Sequence, residues 1–135
     1  MPVRAFFDTN VLIYALAEND PRSAKAEELL AAGGILSVQV LNEFTSVARK
    51  KLLLSWAEVK EAIDTFVVLC PSPLPITVEL HHAARDIAEK HSYGIYDGLV
   101  IAAALEAGCS VLYSEDLQDG QRIDGQLTIR NPFIT

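Results

Sequence analysis

Two aspartates follow predicted strands at positions where a sheet of parallel strands would bring them together. Asp8 comes directly after the apolar segment 3–7, and Asp116 lies just beyond the apolar segment 110–113. In an open parallel sheet, ligands bind outside the carboxyl ends of the strands. These two acids are therefore candidate ligands or catalytic groups, although either one could simply cap the helix or turn that follows it.

Two further acids lie on predicted helices. Asp97 falls in the first turn of the segment 96–107, which is apolar on all sides and is predicted to be a buried helix. A buried charge without a partner is costly, so Asp97 needs either a metal ion or the helix N-terminus beside it. Glu43 flanks the apolar stripe of a helix predicted over residues 38–51, where an ordinary surface acid would look the same.

Together the four carboxylates predict a site for a hard divalent cation. Oxygen ligands suit Mg²⁺ or Mn²⁺, and such an ion can polarise a phosphoryl oxygen and activate water. The chain carries a formal net charge of −7, which would be −3 without these four acids. Nucleic-acid binders are usually basic. Candidate phosphate contacts are the run Arg49, Lys50 and Lys51, which also suits a helix C-terminus, and the pair Arg22 and Lys25.

The remaining pattern predicts one α/β domain over residues 1–135 with a mostly parallel sheet. The predicted strands are 3–7, 35–36, 110–113 and 127–129. Six helices are predicted, and three of them have plain bounds: 10–17, 38–51 and 96–107. The second helix has Asp20 as N-cap and Pro21 at its first position, and it ends at Gly33. The fourth covers 56–68 after the Ser55–Glu58 capping box, and the fifth is capped by Thr77 and runs to Lys90.

Composition and length exclude several classes of protein. Hydrophobic residues make up 50% of the 135 residues and charged residues 21%, which excludes a disordered or fibrous chain. The longest apolar run covers residues 99–105, so no membrane span is expected. The first residues do not resemble a signal peptide, and Cys70 and Cys109 form no C-x-x-C motif. A cytoplasmic protein is therefore expected.

Four motifs, in this order, resemble the PIN-domain family and in particular its VapC-like toxin ribonucleases. They are residues 7–14 (FDTNVLIY), 41–44 (LNEF), 96–104 (YDGLVIAAA) and 112–120 (LYSEDLQDG). The resemblance extends from Phe7 to Phe133, and it implies a three-layer α/β sandwich with a mostly parallel central sheet flanked by helices.

The resemblance also implies an activity, a cofactor and partners. The implied activity is that of a ribonuclease that depends on one or two Mg²⁺ or Mn²⁺ ions. Such a protein would be the toxin of a type II toxin–antitoxin pair and would form a homodimer. A small antitoxin protein would block it by occupying the acidic pocket. Carried over by motif, the metal-binding and catalytic residues are Asp8, Glu43, Asp97 and Asp116. Asn10, Thr9 and Ser114 would orient these acids, and Asp119 is a possible extra ligand.

Several alternatives remain open at this point. A phosphatase with Asp8 as nucleophile would need a second aspartate where Asn10 stands. A receiver domain would need a lysine after a late strand, which the segments 110–116 and 127–129 lack. A catalytically silent interaction module with a PIN-like fold is a third alternative. Tyr93 and Tyr96 beside Asp97 either line the substrate cleft or pack in the core.

Overall fold

Four short strands form the sheet on which the site is built. The computed structural model describes residues 4–134. The strands are β1 (Ala5–Phe7), β2 (Val111–Tyr113), β3 (Arg122–Ile123) and β4 (Leu127–Arg130), and their spatial order is β1-β2-β4-β3. β2 pairs in parallel with β1 and with β4, and β3 pairs with β4 in antiparallel fashion. The prediction of a mostly parallel sheet is therefore confirmed.

Six helices flank this sheet, most of them close to the predicted bounds. They are α1 (Thr9–Leu16), α2 (Ser23–Ala31), α3 (Val38–Lys50), α4 (Trp56–Leu69), α5 (Val78–His91) and α6 (Ile95–Glu106). Side-chain caps explain why three of them begin where they do; those at Ser55 and Thr77 were predicted, and the one at Ser37 was not. The side chains of Ser37, Ser55 and Thr77 accept hydrogen bonds from the first turns of α3, α4 and α5, and Ser55 forms the complete capping box with Glu58. None of the helices in residues 4–134 combines the length and the apolar character that crossing a bilayer requires.

α6 lies at the centre of the core, as its all-round apolar sequence predicts. Residues 98–104 are all buried, and the helix packs mainly against α5. Gly98 permits this close packing, because a Cβ atom there would lie 2.5 Å from the backbone oxygen of Ala84 in α5. Asp97 precedes Gly98 in the first turn of α6, so the packing of α6 against α5 also positions Asp97.

The start of α2 differs from the prediction. Asp20 and Pro21 do not cap the helix, which begins at Ser23 with Arg22 in the N-cap position and no side-chain cap. Asp20 instead closes a turn before the helix, since its Oδ1 accepts hydrogen bonds from the backbone N–H and the Nε of Arg22 at 2.9 and 3.0 Å. The guanidinium of Arg22 thus holds the Asp20 carboxylate outside the helix.

Two predictions about strands also need correction. The segment 35–36 is not a strand, because only an isolated bridge joins Ile35 to Phe6 and α3 is capped directly afterwards at Ser37. β3 was not predicted, since a strand of two residues between Gly120 and Gly125 carries no alternating pattern. The first predicted strand, 3–7, begins at a residue that lies outside the described ones; in the described part the strand is β1, Ala5–Phe7.

Candidate active site

The pairing of β1 with β2 brings two of the predicted acids to the same edge of the sheet. Phe7 lies opposite Tyr113 in the parallel register, and the next backbone N–H, that of Asp8, donates to the carbonyl of Tyr113 at 3.0 Å. Asp8 and the segment that contains Ser114 and Asp116 therefore leave the sheet side by side. This is the strand-end position at which open parallel sheets bind ligands.

All four predicted acids line one cleft of about 600 Å³. Asp8 and Asp116 come from the ends of β1 and β2, Glu43 comes from α3, and Asp97 comes from α6. The remaining lining residues are Thr9, Gln39, Asn42, Ser46, Val47 and Tyr96. The lining includes no lysine or arginine among the described residues, so the charge that it contributes is negative.

Asp8 is the most buried of the four acids and has two functions in the fold. It is the N-cap of α1, because its Oδ1 accepts a hydrogen bond from the backbone N–H of Thr9 at 2.7 Å. Its Oδ2 accepts from Ser114 Oγ at 2.7 Å. Burial raises the pKa of Asp8 to about 7; the two hydrogen bonds oppose this rise, and the charges of Glu43 and Asp116 add to it.

Neighbouring polar side chains donate hydrogen bonds to two of the other acids, Glu43 and Asp116. Thr9 Oγ1 donates to Glu43 Oε2 at 2.8 Å. Asn10 Nδ2 lies 3.3 Å from Asp116 Oδ2 and 3.4 Å from Ser114 Oγ, and Asn10 Oδ1 accepts from the backbone N–H of Glu115 at 3.1 Å. Thr9, Asn10 and Ser114 thus contact the predicted acids directly.

Asp97 is half-buried in the first turn of α6. Burial raises its pKa, and the charge of Asp116 raises it further. Both effects disfavour the ionised carboxylate in the absence of a cation. A divalent ion in the cleft would remove this penalty, so the electrostatics of Asp97 and Asp8 fit a cation-binding site.

The donor set is chemically suited to a hard divalent cation, but its oxygen atoms do not surround a single point. Within residues 4–134, no three acidic, histidine or cysteine side chains are grouped closely enough to hold an ion together. Glu43 accepts a hydrogen bond from Thr9, and Asp116 accepts one from Asn10, so the two carboxylates are bound to different side chains. Repulsion between like charges favours such separation.

The other predicted site residues lie outside the cleft lining. Asp119 accepts a hydrogen bond from the backbone N–H of Asn131 at 2.7 Å, so it stabilises the segment after β4. Its assignment as a metal ligand stays a prediction. Arg49 lies over the ring of Trp56 and donates to the carbonyl of Leu54 at 2.8 Å. The binding of RNA by Arg49, Lys50 and Lys51 stays a prediction.

A charged network beside the cleft was not predicted. Arg22 Nη1 donates to Glu115 Oε1 at 3.0 Å and to the hydroxyl of Tyr14 at 2.6 Å, and Tyr14 also donates to Glu115. Arg22 is therefore engaged with protein groups rather than available for phosphate. Glu115 immediately precedes Asp116, so the network fixes the backbone that carries this acid. Glu115 is 93 positions from Arg22 and 101 from Tyr14, and no local pattern indicates that they meet.

Sequence reasoning also missed the polar wall that α3 presents to the cleft. Gln39, Asn42, Glu43 and Ser46 all line it, and their spacing of three, four and seven residues places them on one face of the helix. The helical spacing of these residues is visible in the sequence, but an exposed polar face of a helix looks the same.

Solved structures of toxin–antitoxin proteins share this fold. VapC20 of Mycobacterium tuberculosis, a toxin that cleaves the sarcin-ricin loop, has a TM-score of 0.68 and 19% identity over 83% of this chain and 89% of its own. A toxin–antitoxin complex from Klebsiella pneumoniae has a TM-score of 0.70 and 17% identity over 96% and 98%. VapBC2 of Rickettsia felis, bound to a promoter DNA fragment, has a TM-score of 0.67 and 20% identity over 96% and 98%.

Sequence comparison gives the family directly. None of the curated protein sequences compared with this chain matches it. The profile of the PIN domain matches residues 5–124, which include Asp8, Glu43, Asp97 and Asp116. The match covers most of the chain, and the protein therefore belongs to the PIN domain family.

Proposed function

We propose that this protein is an endoribonuclease that hydrolyses RNA phosphodiester bonds with Mg²⁺ or Mn²⁺, one or two ions, held by Asp8, Glu43, Asp97 and Asp116. The observation that carries the proposal is the convergence of these acids, from four separate elements, on one cleft whose described lining has no basic residue. Four carboxylates in one cleft are energetically unfavourable unless a cation neutralises their charge.

The polar neighbours of the acids would keep the carboxylates aimed into the cleft. The Ser114 hydroxyl and the Thr9 backbone N–H each hold one oxygen of Asp8, and the Thr9 hydroxyl holds one oxygen of Glu43. Such supporting hydrogen bonds fix the orientation of metal ligands. When bound, the ion would lower the pKa of a water molecule and stabilise the negative charge that develops on the phosphoryl oxygens.

The structural neighbours support a toxin as the biological context. Two of them are complexes of toxin and antitoxin, and the third is a toxin that cleaves an RNA loop. We propose by analogy that this chain acts in the cytoplasm as a homodimer and pairs with a small antitoxin protein. A basic side chain of the antitoxin, placed among the four carboxylates, would block the cleft.

The test is cleavage of total RNA by the purified protein, free of any antitoxin. Reactions contain Mg²⁺, Mn²⁺ or EDTA, and Asp97→Asn is compared with the wild type. Discrete products that require both the metal and Asp97 are expected. Cleavage that persists in EDTA, or in Asp97→Asn at the wild-type rate, would contradict the assignment.

A catalytically silent interaction module is the second candidate. It is favoured by one observation, that no three of the acidic side chains in the described part of the chain are grouped to hold an ion together. The same experiment separates the two functions. Folded protein that cleaves no RNA in either metal would favour the silent module.

A further inference from the structure

Tyr96 presents an aromatic ring to the active cleft rather than to the core. It lies in the first turn of α6 directly before Asp97, and 62% of its surface is exposed. Tyr93, three residues earlier, differs from it, because its hydroxyl donates to Gln121 Oε1 at 2.5 Å and accepts from the backbone N–H of Gln118 at 3.3 Å. Tyr93 is engaged with the protein, whereas the ring of Tyr96 is available to a ligand in the cleft.

Apart from Glu43, the wall that α3 contributes to the same cleft is neutral and polar. Gln39 and Asn42 each carry an amide, which has both a donor and an acceptor. The two residues are three positions apart on one helix, so their side chains are neighbours. An aromatic ring and two amides in one cleft are the groups that recognise a nucleobase, by stacking and by hydrogen bonds to its edge.

Electrostatics also argues against recognition through phosphates. Most nucleic-acid binders gain affinity from lysine and arginine side chains that neutralise phosphates. Here the described cleft lining has no such residue, and the whole chain carries a net charge of −7. Lys50, four residues after Ser46 on α3, is the basic residue that helical spacing brings nearest to this wall.

We propose that Tyr96 stacks on an unpaired nucleobase of the RNA substrate and that Gln39 and Asn42 hydrogen-bond to the edge of that base. The inference rests on the proposed function, and it assigns to these three side chains the recognition of a base in the RNA. A paired base cannot reach the ring, because its faces are covered by its neighbours in the helix. Loops, bulges and ends of RNA are therefore the expected targets.

Recognition by bases predicts a weak dependence of binding on salt. For single strands, each neutralised phosphate contributes a slope of about −0.7 to the plot of log affinity against log salt concentration. If Lys50 is the main phosphate contact, the slope is close to the value for one contact. A binder that depends on many phosphates would show a slope several times steeper.

Fluorescence anisotropy tests the proposal with two labelled probes. One is an eight-nucleotide single-stranded RNA of mixed sequence, and the other is an abasic strand of the same length. Binding is measured in Ca²⁺, with the integrity of the strand checked on a gel. Tyr96→Ala and Tyr96→Leu remove the aromatic face, Tyr96→Phe keeps it, and Lys50→Ala removes a charge.

The wild type is expected to bind the RNA more tightly than the abasic strand. Tyr96→Ala and Tyr96→Leu should weaken RNA binding by roughly 5- to 150-fold, the range measured for loss of one stacking contact, and should not affect the abasic strand. Tyr96→Phe should bind like the wild type. Lys50→Ala should weaken both probes by a similar factor.

Three results would overturn the stacking contact. The first is equal binding of the RNA and the abasic strand, and the second is wild-type affinity in Tyr96→Leu. The third is no detectable binding of either strand by a protein that cleaves RNA. The cleavage assay tests the proposed function separately. Base-dependent binding without any cleavage would support the contact of Tyr96 with a base and would contradict only the nuclease activity.

Discussion

Ser114 Oγ donates a hydrogen bond of 2.7 Å to Asp8 Oδ2 and so joins the ends of β1 and β2 beside the cleft. Both residues are buried, and they are 106 positions apart in the sequence. The same hydroxyl accepts hydrogen bonds from the backbone N–H groups of Asp116 and Leu117 at 3.1 and 3.3 Å. One side chain therefore fixes both Asp8 and the loop that carries Asp116.

Ser114→Ala should lower the rate of RNA cleavage by about 10- to 100-fold, the usual effect of removing a group that orients a metal ligand. Cleavage rates and Mn²⁺ affinity measured in parallel provide the test. Ser110→Ala, at an exposed serine just before β2, is the matched control and should leave both unchanged. Wild-type cleavage and affinity in Ser114→Ala would show that the hydrogen bond to Asp8 has no part in the reaction.

The stability of the metal-free protein should fall as the pH rises from 5.5 to 8. The pKa of Asp8 is raised from 3.8 to about 7 in the folded chain. Between these values the folded state binds more protons than the unfolded state, so the stability that protonated Asp8 provides is complete below about 3.8 and is lost as the pH passes about 7. Thermal unfolding in EDTA across this range measures the effect.

Asp8→Asn should reduce that pH dependence, because the amide does not titrate. Asp86→Asn, at an exposed acid on α5, is the control and should keep the wild-type dependence. A melting temperature that stays constant or rises from pH 5.5 to 8 in the wild type would contradict the raised pKa of Asp8.

Asp97→Asn should raise the melting temperature in EDTA by about 1–4 °C, which corresponds to no more than about 1 kcal/mol for a domain of this size. Burial and the charge of Asp116 both disfavour the ionised side chain of Asp97. These effects should outweigh the favourable position of an acid in the first turn of a helix.

Addition of Mg²⁺ should then stabilise the wild type more than Asp97→Asn, because a ligand that binds only the folded state raises its stability. Differential scanning fluorimetry with and without Mg²⁺ measures both effects. A lower melting temperature for the variant in EDTA would mean that the charge of Asp97 stabilises the first turn of α6.

Gly98→Ala should destabilise the fold by about 1–3 kcal/mol, the usual cost of overfilling a packed interface. The added Cβ would lie 2.5 Å from the backbone oxygen of Ala84, so α5 and α6 would have to separate. Gly94→Ala is the matched control, because no atom lies within 4 Å of its Cβ position. Urea unfolding of the two variants provides the comparison, and equal free energies of unfolding would contradict the close packing at Gly98.

The sequence predicts most of the fold because local signals define its elements. The capping box of Ser55 and Glu58 predicts the start of α4, and the apolar run around Ile101 predicts that α6 is the buried helix. The start of α2 could not be predicted in the same way. There Asp20 has the residue type of a cap, but the guanidinium of Arg22 binds its side chain, and Arg22 is in turn held by Glu115 from a distant part of the chain.

The candidate site, like the fold, was predicted where local signals exist and missed where distant contacts decide. The strand-end rule and the helix patterns make Asp8, Asp97 and Asp116 candidates, whereas only the motif resemblance distinguishes Glu43 from an ordinary surface acid; all four line the cleft. The support around them was predicted only where it lies within a motif, as with Asn10 and Ser114. Tyr96 remained ambiguous in the sequence, because its exposure depends on how α6 packs against α5.

The proposed function requires that the four carboxylates bind a divalent ion on which the hydrolysis of RNA would depend. Its most direct test measures Mn²⁺ binding, by loss of the electron paramagnetic resonance signal of free Mn²⁺, and RNA cleavage in the same samples. The wild type and Asp86→Asn should bind Mn²⁺ and cleave. Asp97→Asn should lose Mn²⁺ binding and cleave more than about 100-fold slower, beyond the usual effect of removing a supporting group. Wild-type cleavage by Asp97→Asn, or cleavage by the wild type without Mn²⁺ or any other divalent ion, would contradict the proposed function.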